Sequence, residues 1–173
     1  VKNLLIINII IFLAQRLLPI GEAITNFGSL HFDATRPILY HLAHSYQLVT
    51  YMFLHADIGH IFSNMFTLWM FGRILENDLG SKRFLIFYML CGIGAGLIQQ
   101  GICWGQFAMG VGSAQIMTLG ASGAVFGVLL AFAMLRPNSV IMLLFPPIPM
   151  KAKWFVLIYA ILELSAGVRV FTS

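Results

Sequence analysis

From Arg83 to Trp104 the chain carries no charged residue after the first position, and Gly92, Gly94 and Gly96 punctuate the run. A helix needs about 20 predominantly apolar residues to cross the hydrocarbon core of a bilayer. The run therefore reads as a transmembrane helix, with its glycines thinning one face for close approach of a neighbour. The rest of the chain repeats the pattern. Apolar segments cover about Leu4 to Ile20, Ile58 to Leu75, Thr118 to Leu135 and Lys153 to Leu164. The expected architecture is an all-α, polytopic membrane helix bundle with five transmembrane helices in a single domain over 1–173. Composition agrees: 60% of residues are hydrophobic and 9% charged, where a soluble domain carries about 25% charged residues. The mean hydropathy is +0.90. The net charge of +4 is scattered over segment ends with no basic run. That pattern excludes nucleic acid as a partner and leaves the lipid bilayer as the surroundings.

The connections are of different kinds. Glu76 to Lys82 reads as a polar turn, and Gly105 to Met117 as an uncharged, glycine-rich connection. Arg136-Pro137-Asn138 ends the fourth segment, because proline cannot continue a helix. Ser139 to Met150, broken by Pro146, Pro147 and Pro149, is expected to dip into the interface. Gly21 to Leu54 interleaves polar and aromatic residues and reads as an ordered interfacial loop with short amphipathic helices. With a cytoplasmic N-terminus, Lys2, Arg73, Lys82, Arg83, Arg136, Lys151 and Lys153 fall at cytoplasmic ends. Only Arg16, Arg36 and Arg169 fall at the other side, the bias of the positive-inside rule. The second and fourth segments then both enter from the outer side, which brings His55, His60, Asn64 and Ser122 to similar depth. No cleavable leader is visible, and the expected location is a prokaryotic plasma membrane. Cys91 and Cys103 have neither disulfide nor metal spacing and are expected to be buried free thiols.

Within Leu119 to Gly127, Ser122 stands between Gly120 and Gly123. A serine in a membrane helix more often bonds a carbonyl one turn back, or simply admits a neighbouring helix. A G-x-S-G match alone is weak. At a helix start, however, the serine has unsatisfied N–H groups and the positive end of the dipole beside it, which is half an oxyanion hole. His60 and Asn64 are four apart and share a face. They are either interhelical glue or the other half of that hole. His55 lies off their face. His41, His44, His55 and His60 match no ligand spacing, so no metal and no cofactor are expected. On the second of these readings the chemistry is acyl transfer, with no general base in view.

Three stretches in order carry a resemblance. They are His55-Ala-Asp-Ile-Gly-His60-Ile-Phe-Ser-Asn64-Met-Phe, the Glu76 to Phe84 segment, and Gly120-Ala-Ser122-Gly-Ala-Val-Phe126-Gly. Together they resemble the rhomboid family of intramembrane serine proteases over roughly Tyr46 to Leu164. The resemblance implies a six-helix bundle with Ser122 as nucleophile. It implies an oxyanion held by the Ser122 N–H and the side chains of His60 and Asn64, with His55, Gly120, Gly123 and Phe126 as neighbours. Phe126 would pack against the catalytic histidine. The small face of Gly120, Gly123, Gly127 and Ala131 would receive the sixth helix. Two positions depart from the family. Gln47, after Tyr46, stands where an arginine follows an aromatic residue. The family's base, a histidine in an A-H-x-x-G motif on the sixth span, has no counterpart, since the last of the five histidines is His60. The chain thus reads as five helices of the usual six, C-terminally incomplete, with no general base assigned. The expected function is a serine endopeptidase that cleaves transmembrane protein substrates near the outer membrane face. The alternative is an inactive rhomboid-like protein that binds transmembrane segments. A transporter or channel is disfavoured by the few intramembrane charges and the lack of an inverted repeat.

Overall fold

A computed structural model of the chain describes residues 1–142 and 149–170. It is mostly helical. α1 (Lys2–Leu17) leads into α2 (Gly21–Gly28), β1 (Leu30–Asp33), α3 (Ile38–Ala43), α4 (Gln47–Thr50) and a 3₁₀ turn at Tyr51–Phe53. The Gly21 to Leu54 region is therefore an ordered series of short elements. α5 (Ile58–Thr67), a π turn at Leu68–Gly72 and α6 (Arg73–Leu79) follow one another without a break. Helix thus continues through Glu76 and Asp78, past the expected turn. The reversal comes at Gly80, whose φ of 79° suits a residue without a side chain. Then come α7 (Ser81–Ala108), β2 (Gln115–Thr118), α8 (Ser122–Leu135), β3 (Val140–Met142), β4 (Pro149–Lys151) and α9 (Ala152–Val170).

Two corrections to the expected all-α class follow. β1 pairs antiparallel with β2, Leu30 opposite Thr118 and Asp33 opposite Gln115. β3 pairs with β4. The first pairing ties the interfacial segment to the connection ahead of α8, and Thr118 belongs to that strand instead of opening a helix. The second brackets a stretch whose Pro146, Pro147 and Ile148 lie outside the described residues. Among the described residues, α7 is the one helix that is by itself long and apolar enough to cross a membrane; α8 is shorter.

The core forms where α5, the π turn, α7 and α8 meet, around Met52, Leu68, Leu75, Tyr88, Val128 and Leu129. The small face of α8 decides how closely α7 approaches. A Cβ on Gly123 would overlap the Ala95 methyl, and one on Gly127 would sit 2.5 Å from Cys91 Sγ. At Gly123 and Gly127 the expected place of a further helix is therefore taken by α7, whereas Gly120 lies against the His60 ring. Close backbone approach through small residues maximises van der Waals contact where lipid offers no hydrophobic driving force. On α7, Gly92 receives Met52 and Gly96 receives Leu48 and Tyr51, but nothing lies within 4 Å of a Cβ at Gly94. Four-residue spacing puts Gly92 and Gly96 on one side and leaves Gly94 off it. Both cysteines are free; Cys103 is buried and Cys91 half-buried. At the opposite end of the core, Arg136 holds Asp78 with two hydrogen bonds of 2.7 Å, joining the ends of α8 and α6.

Candidate active site

The site is assembled from the starts of two helices. α5 begins where Asp57, in an extended conformation, accepts the His60 N–H at 2.8 Å as N-cap. Capping by an aspartate satisfies one of the orphan donors of the first turn. It also holds His60 one turn into the helix. Ala56 N–H donates to His60 Nδ1 at 3.4 Å. In the neutral ring that bond leaves the lone pair on Nδ1 and the proton on Nε2.

α8 begins at Ser122, preceded by Ala121 with no side-chain cap. The first intrahelical bond is Val125 N–H to Ala121 O, so the N–H groups of Ser122, Gly123 and Ala124 have no intrahelical acceptor. Gly120, just before them, has a φ of +131° and donates its N–H to Tyr51 O at 2.9 Å. The His60 ring lies over this glycine. Its Cε1 and Nε2 are both 2.7 Å from where a Gly120 Cβ would be, and Ser122 Oγ is 3.8 Å from the same point. The Nε2 edge of the His60 imidazole and the Ser122 hydroxyl thus both lie beside Gly120, at the start of α8.

Asn64 lies one turn below His60 and is 3% exposed, and its Nδ2 has no hydrogen-bond partner among the described residues. A buried amide donor without an acceptor costs about 1–3 kcal/mol. His55 is 1% exposed, and among the described residues its ring nitrogens meet no well-aligned hydrogen-bond partner, though the Phe53 main chain lies near them. Its ring meets that of His60 edge to face at 5.1 Å. Phe126, a turn below Ser122, stacks on Tyr159 of α9 with ring centroids 6.2 Å apart. Among the described residues no cluster of His, Cys, Asp or Glu could hold a metal.

Burial, reinforced by the neighbouring His60, lowers the His55 pKa from 6.5 to about 4. His55 lies ahead of α5, outside the helical segment. The folded protein therefore keeps the ring neutral where an unfolded chain would protonate it. The stability this provides is complete above pH 6.5 and is lost as the pH falls towards 4. The melting temperature is expected to fall across that window, and His55→Phe to flatten the fall. Equal slopes in the two proteins would remove His55 from this account.

Two residues that position the site were not singled out for it in the sequence. Tyr51 donates its hydroxyl to Gly92 O of α7 at 2.6 Å, besides accepting the Gly120 N–H. Gln47, 3% exposed, accepts the His31 N–H at 3.2 Å and donates to Phe27 O at 3.4 Å. Gln47 thus fastens α4 to the end of α2 and to β1 despite the departure from the arginine pattern. Tyr51 stands in the mostly apolar run Leu48 to Leu54, where nothing in the sequence marks it for this role.

The rhomboid-domain family model matches residues 43–173. Rhomboid-like protein 11, chloroplastic, of Arabidopsis thaliana is 36% identical over 102 residues, covering 56% of this chain and 33% of the relative. Rhomboid protein 1, mitochondrial, of Saccharomyces cerevisiae is 35% identical over 119 residues, covering 66% and 32%. Rhomboid protease GluP of Bacillus subtilis is 35% identical over 114 residues, covering 65% and 20%. The chain spans about a third or less of the length of these relatives. Their names place them in chloroplasts, mitochondria and a bacterium, so they single out no compartment for this chain. With the family's domain matched across three quarters of its length, this chain belongs to the rhomboid family of membrane proteins.

Proposed function

We propose that the chain carries the nucleophile and the oxyanion donors of an intramembrane serine endopeptidase acting on transmembrane proteins. The observation that supports this best is the convergence over Gly120: the proton-bearing Nε2 of His60 and the Ser122 hydroxyl face one point at the start of α8. In this reading Ser122 Oγ attacks the carbonyl carbon of the scissile peptide bond and gives its proton to a general base. The carbonyl oxygen becomes an oxyanion, which accepts hydrogen bonds from the Ser122 N–H, His60 Nε2–H and Asn64 Nδ2–H. The base passes that proton to the departing nitrogen, so that collapse of the tetrahedral intermediate breaks the C–N bond, releases the amine and leaves an acyl-Ser122 ester, which water then hydrolyses. Fixed donors aimed at the developing charge are a large source of rate enhancement in such reactions. His60 is suited to donating and not to taking the Ser122 proton, because its Nδ1 lone pair is engaged by Ala56 N–H. The base is not assigned to any of these residues.

The same reading has α1, the continuous α5–α6 stretch, α7, α8 and α9 crossing the bilayer, with the N-terminus cytoplasmic and the starts of α5 and α8 facing outward. The 1–173 stretch is then one rhomboid-type transmembrane domain. The apolar side chains exposed on the helices, among them Ile10, Phe62, Leu90, Ile98 and Met134, would lie in lipid. A fluorophosphonate probe on the full-length protein tests the assignment. Labelling at Ser122 is expected, with complete loss in Ser122→Ala. A folded full-length protein that stays unlabelled, yet captures transmembrane peptides, would establish the non-cleaving alternative instead.

A further inference from the structure

We infer that Tyr51 is a positioning residue of this acyl-transfer site, the strut that sets the Gly120–Ser122 turn against both α7 and the His60 segment. The inference rests on the proposed endopeptidase reading.

Tyr51 is 4% exposed and lies in the 3₁₀ turn immediately before the chain runs through His55 into α5. Its polar groups point in two directions. The hydroxyl donates to Gly92 O at 2.6 Å, in the middle of α7, and the carbonyl accepts the Gly120 N–H at 2.9 Å, two residues before Ser122. The ring is clamped between glycines. Tyr51 Cε1 lies 3.2 Å from the position of a Gly96 Cβ, and the hydroxyl oxygen 3.8 Å from that of a Gly123 Cβ. A helix carbonyl such as that of Gly92 already accepts its intrahelical bond, so the hydroxyl uses the second lone pair. It takes nothing away from α7.

Both halves of the site therefore depend on this residue. The carbonyl holds the Gly120 peptide, over which the His60 ring lies. The backbone leaving Tyr51 reaches His55 in four residues and His60 in nine. The hydroxyl fixes where the whole turn sits along α7. Without it the turn keeps its apolar packing but loses the hydroxyl bond to Gly92 O that sets its height on α7. Displacements well under an ångström at Gly120 would then separate the donors from Ser122. Misplacement by about 1 Å can cost about 10²-fold in rate, so the smaller slip expected here corresponds to about tenfold. Tyr51 touches no reacting atom, so the effect acts through the geometry of others.

The experiment is a double-mutant cycle on the full-length protein with a fluorogenic transmembrane substrate. Tyr51→Phe is expected to lower kcat about tenfold and leave KM within about twofold, because orientation and not binding is disturbed. In a His60→Ala background, where the donor Tyr51 positions is gone, the same change is expected to cost less than about twofold. Replacing Tyr51 by 4-aminophenylalanine, which keeps a donor at the same place, is expected to restore kcat to within about threefold of wild type. That variant decides the matter if Tyr51→Phe fails to fold. An equal tenfold loss in both backgrounds would make Tyr51 a general packing residue and overturn the inference. So would unchanged kcat in Tyr51→Phe, or a folded but inactive aminophenylalanine variant. A wild-type protein that the fluorophosphonate does not label at Ser122 overturns the endopeptidase reading and the inference with it, and this labelling is read separately from turnover.

Discussion

Replacing Gly120 with alanine is expected to lower turnover by about 10³-fold while the protein still folds. Two independent facts meet at this residue. Its φ of +131° is a conformation that side-chain-bearing residues rarely adopt, and holding one there costs about 1–3 kcal/mol. A Cβ would also lie 2.7 Å from both Cε1 and Nε2 of His60. The ring cannot stay where it is, and the turn cannot relax freely because its N–H is tied to Tyr51 O. The imidazole is the softer partner and swings out, taking with it the Nε2–H that faces Ser122. Loss of one oxyanion donor costs about 10²–10³-fold, and distortion of the turn that carries Ser122 adds to it. Gly94→Ala is the matched control. Among the described residues nothing lies within 4 Å of a Cβ at that position, and alanine is favoured over glycine inside a helix by about 0.5–1 kcal/mol. That variant is expected to keep full turnover and melt no lower than wild type. Turnover is followed with a fluorogenic transmembrane substrate and folding by thermal melting. A Gly120→Ala protein as active as wild type would separate the His60 ring from catalysis.

The contrast between these two glycines shows where sequence reasoning reaches and where it stops. The apolar runs marked α1, the α5 to α6 stretch, α7, α8 and α9, because residue character repeats along one chain and needs no knowledge of partners. That His60 and Ser122 belong together was an expectation from the charge bias, which has both segments enter from one side; the structure sets the His60 ring over Gly120, with Ser122 Oγ 3.8 Å from the same Cβ position. The face a glycine presents did not follow, because it depends on which helix is opposite. Gly123 and Gly127 read as an open face, yet α7 fills it through Ala95 and Cys91. Gly94 read as part of a packing stripe, yet among the described residues no atom lies within 4 Å of a Cβ placed there. The β1–β2 pairing was illegible for a related reason. Each strand is four residues long, and the partners are 85 or so positions apart in the chain. Such short segments carry no periodicity that outweighs their surroundings. Tyr51 was hidden for the same cause: its role lies in a hydroxyl bond to a main-chain carbonyl of α7, and main-chain acceptors leave no trace in sequence.

Asn64→Leu is expected to lower turnover by about 10²-fold without lowering the melting temperature. The two expectations have one origin. The Asn64 side chain is buried, and its Nδ2 has no hydrogen-bond partner among the described residues. In the resting protein that amide is a liability of about 1–3 kcal/mol, and exchanging it for an apolar group of similar shape is neutral or stabilising. A residue kept for interhelical adhesion behaves in the opposite way, since removing its hydrogen bond leaves a partner stranded. Stability therefore separates the two roles that His60-to-Asn64 spacing left open. If Asn64 is glue, Asn64→Leu melts lower and turnover follows the folded fraction. If Asn64 donates to an oxyanion, turnover falls in a protein that is at least as stable, and the loss appears in kcat with KM little changed. Such a donor is unsatisfied until charge develops on the carbonyl oxygen, and that is when its interaction lowers the barrier. Melting curves and steady-state kinetics on the same preparation measure both quantities, and a lower melting temperature with a proportionate loss of turnover would return Asn64 to a structural role.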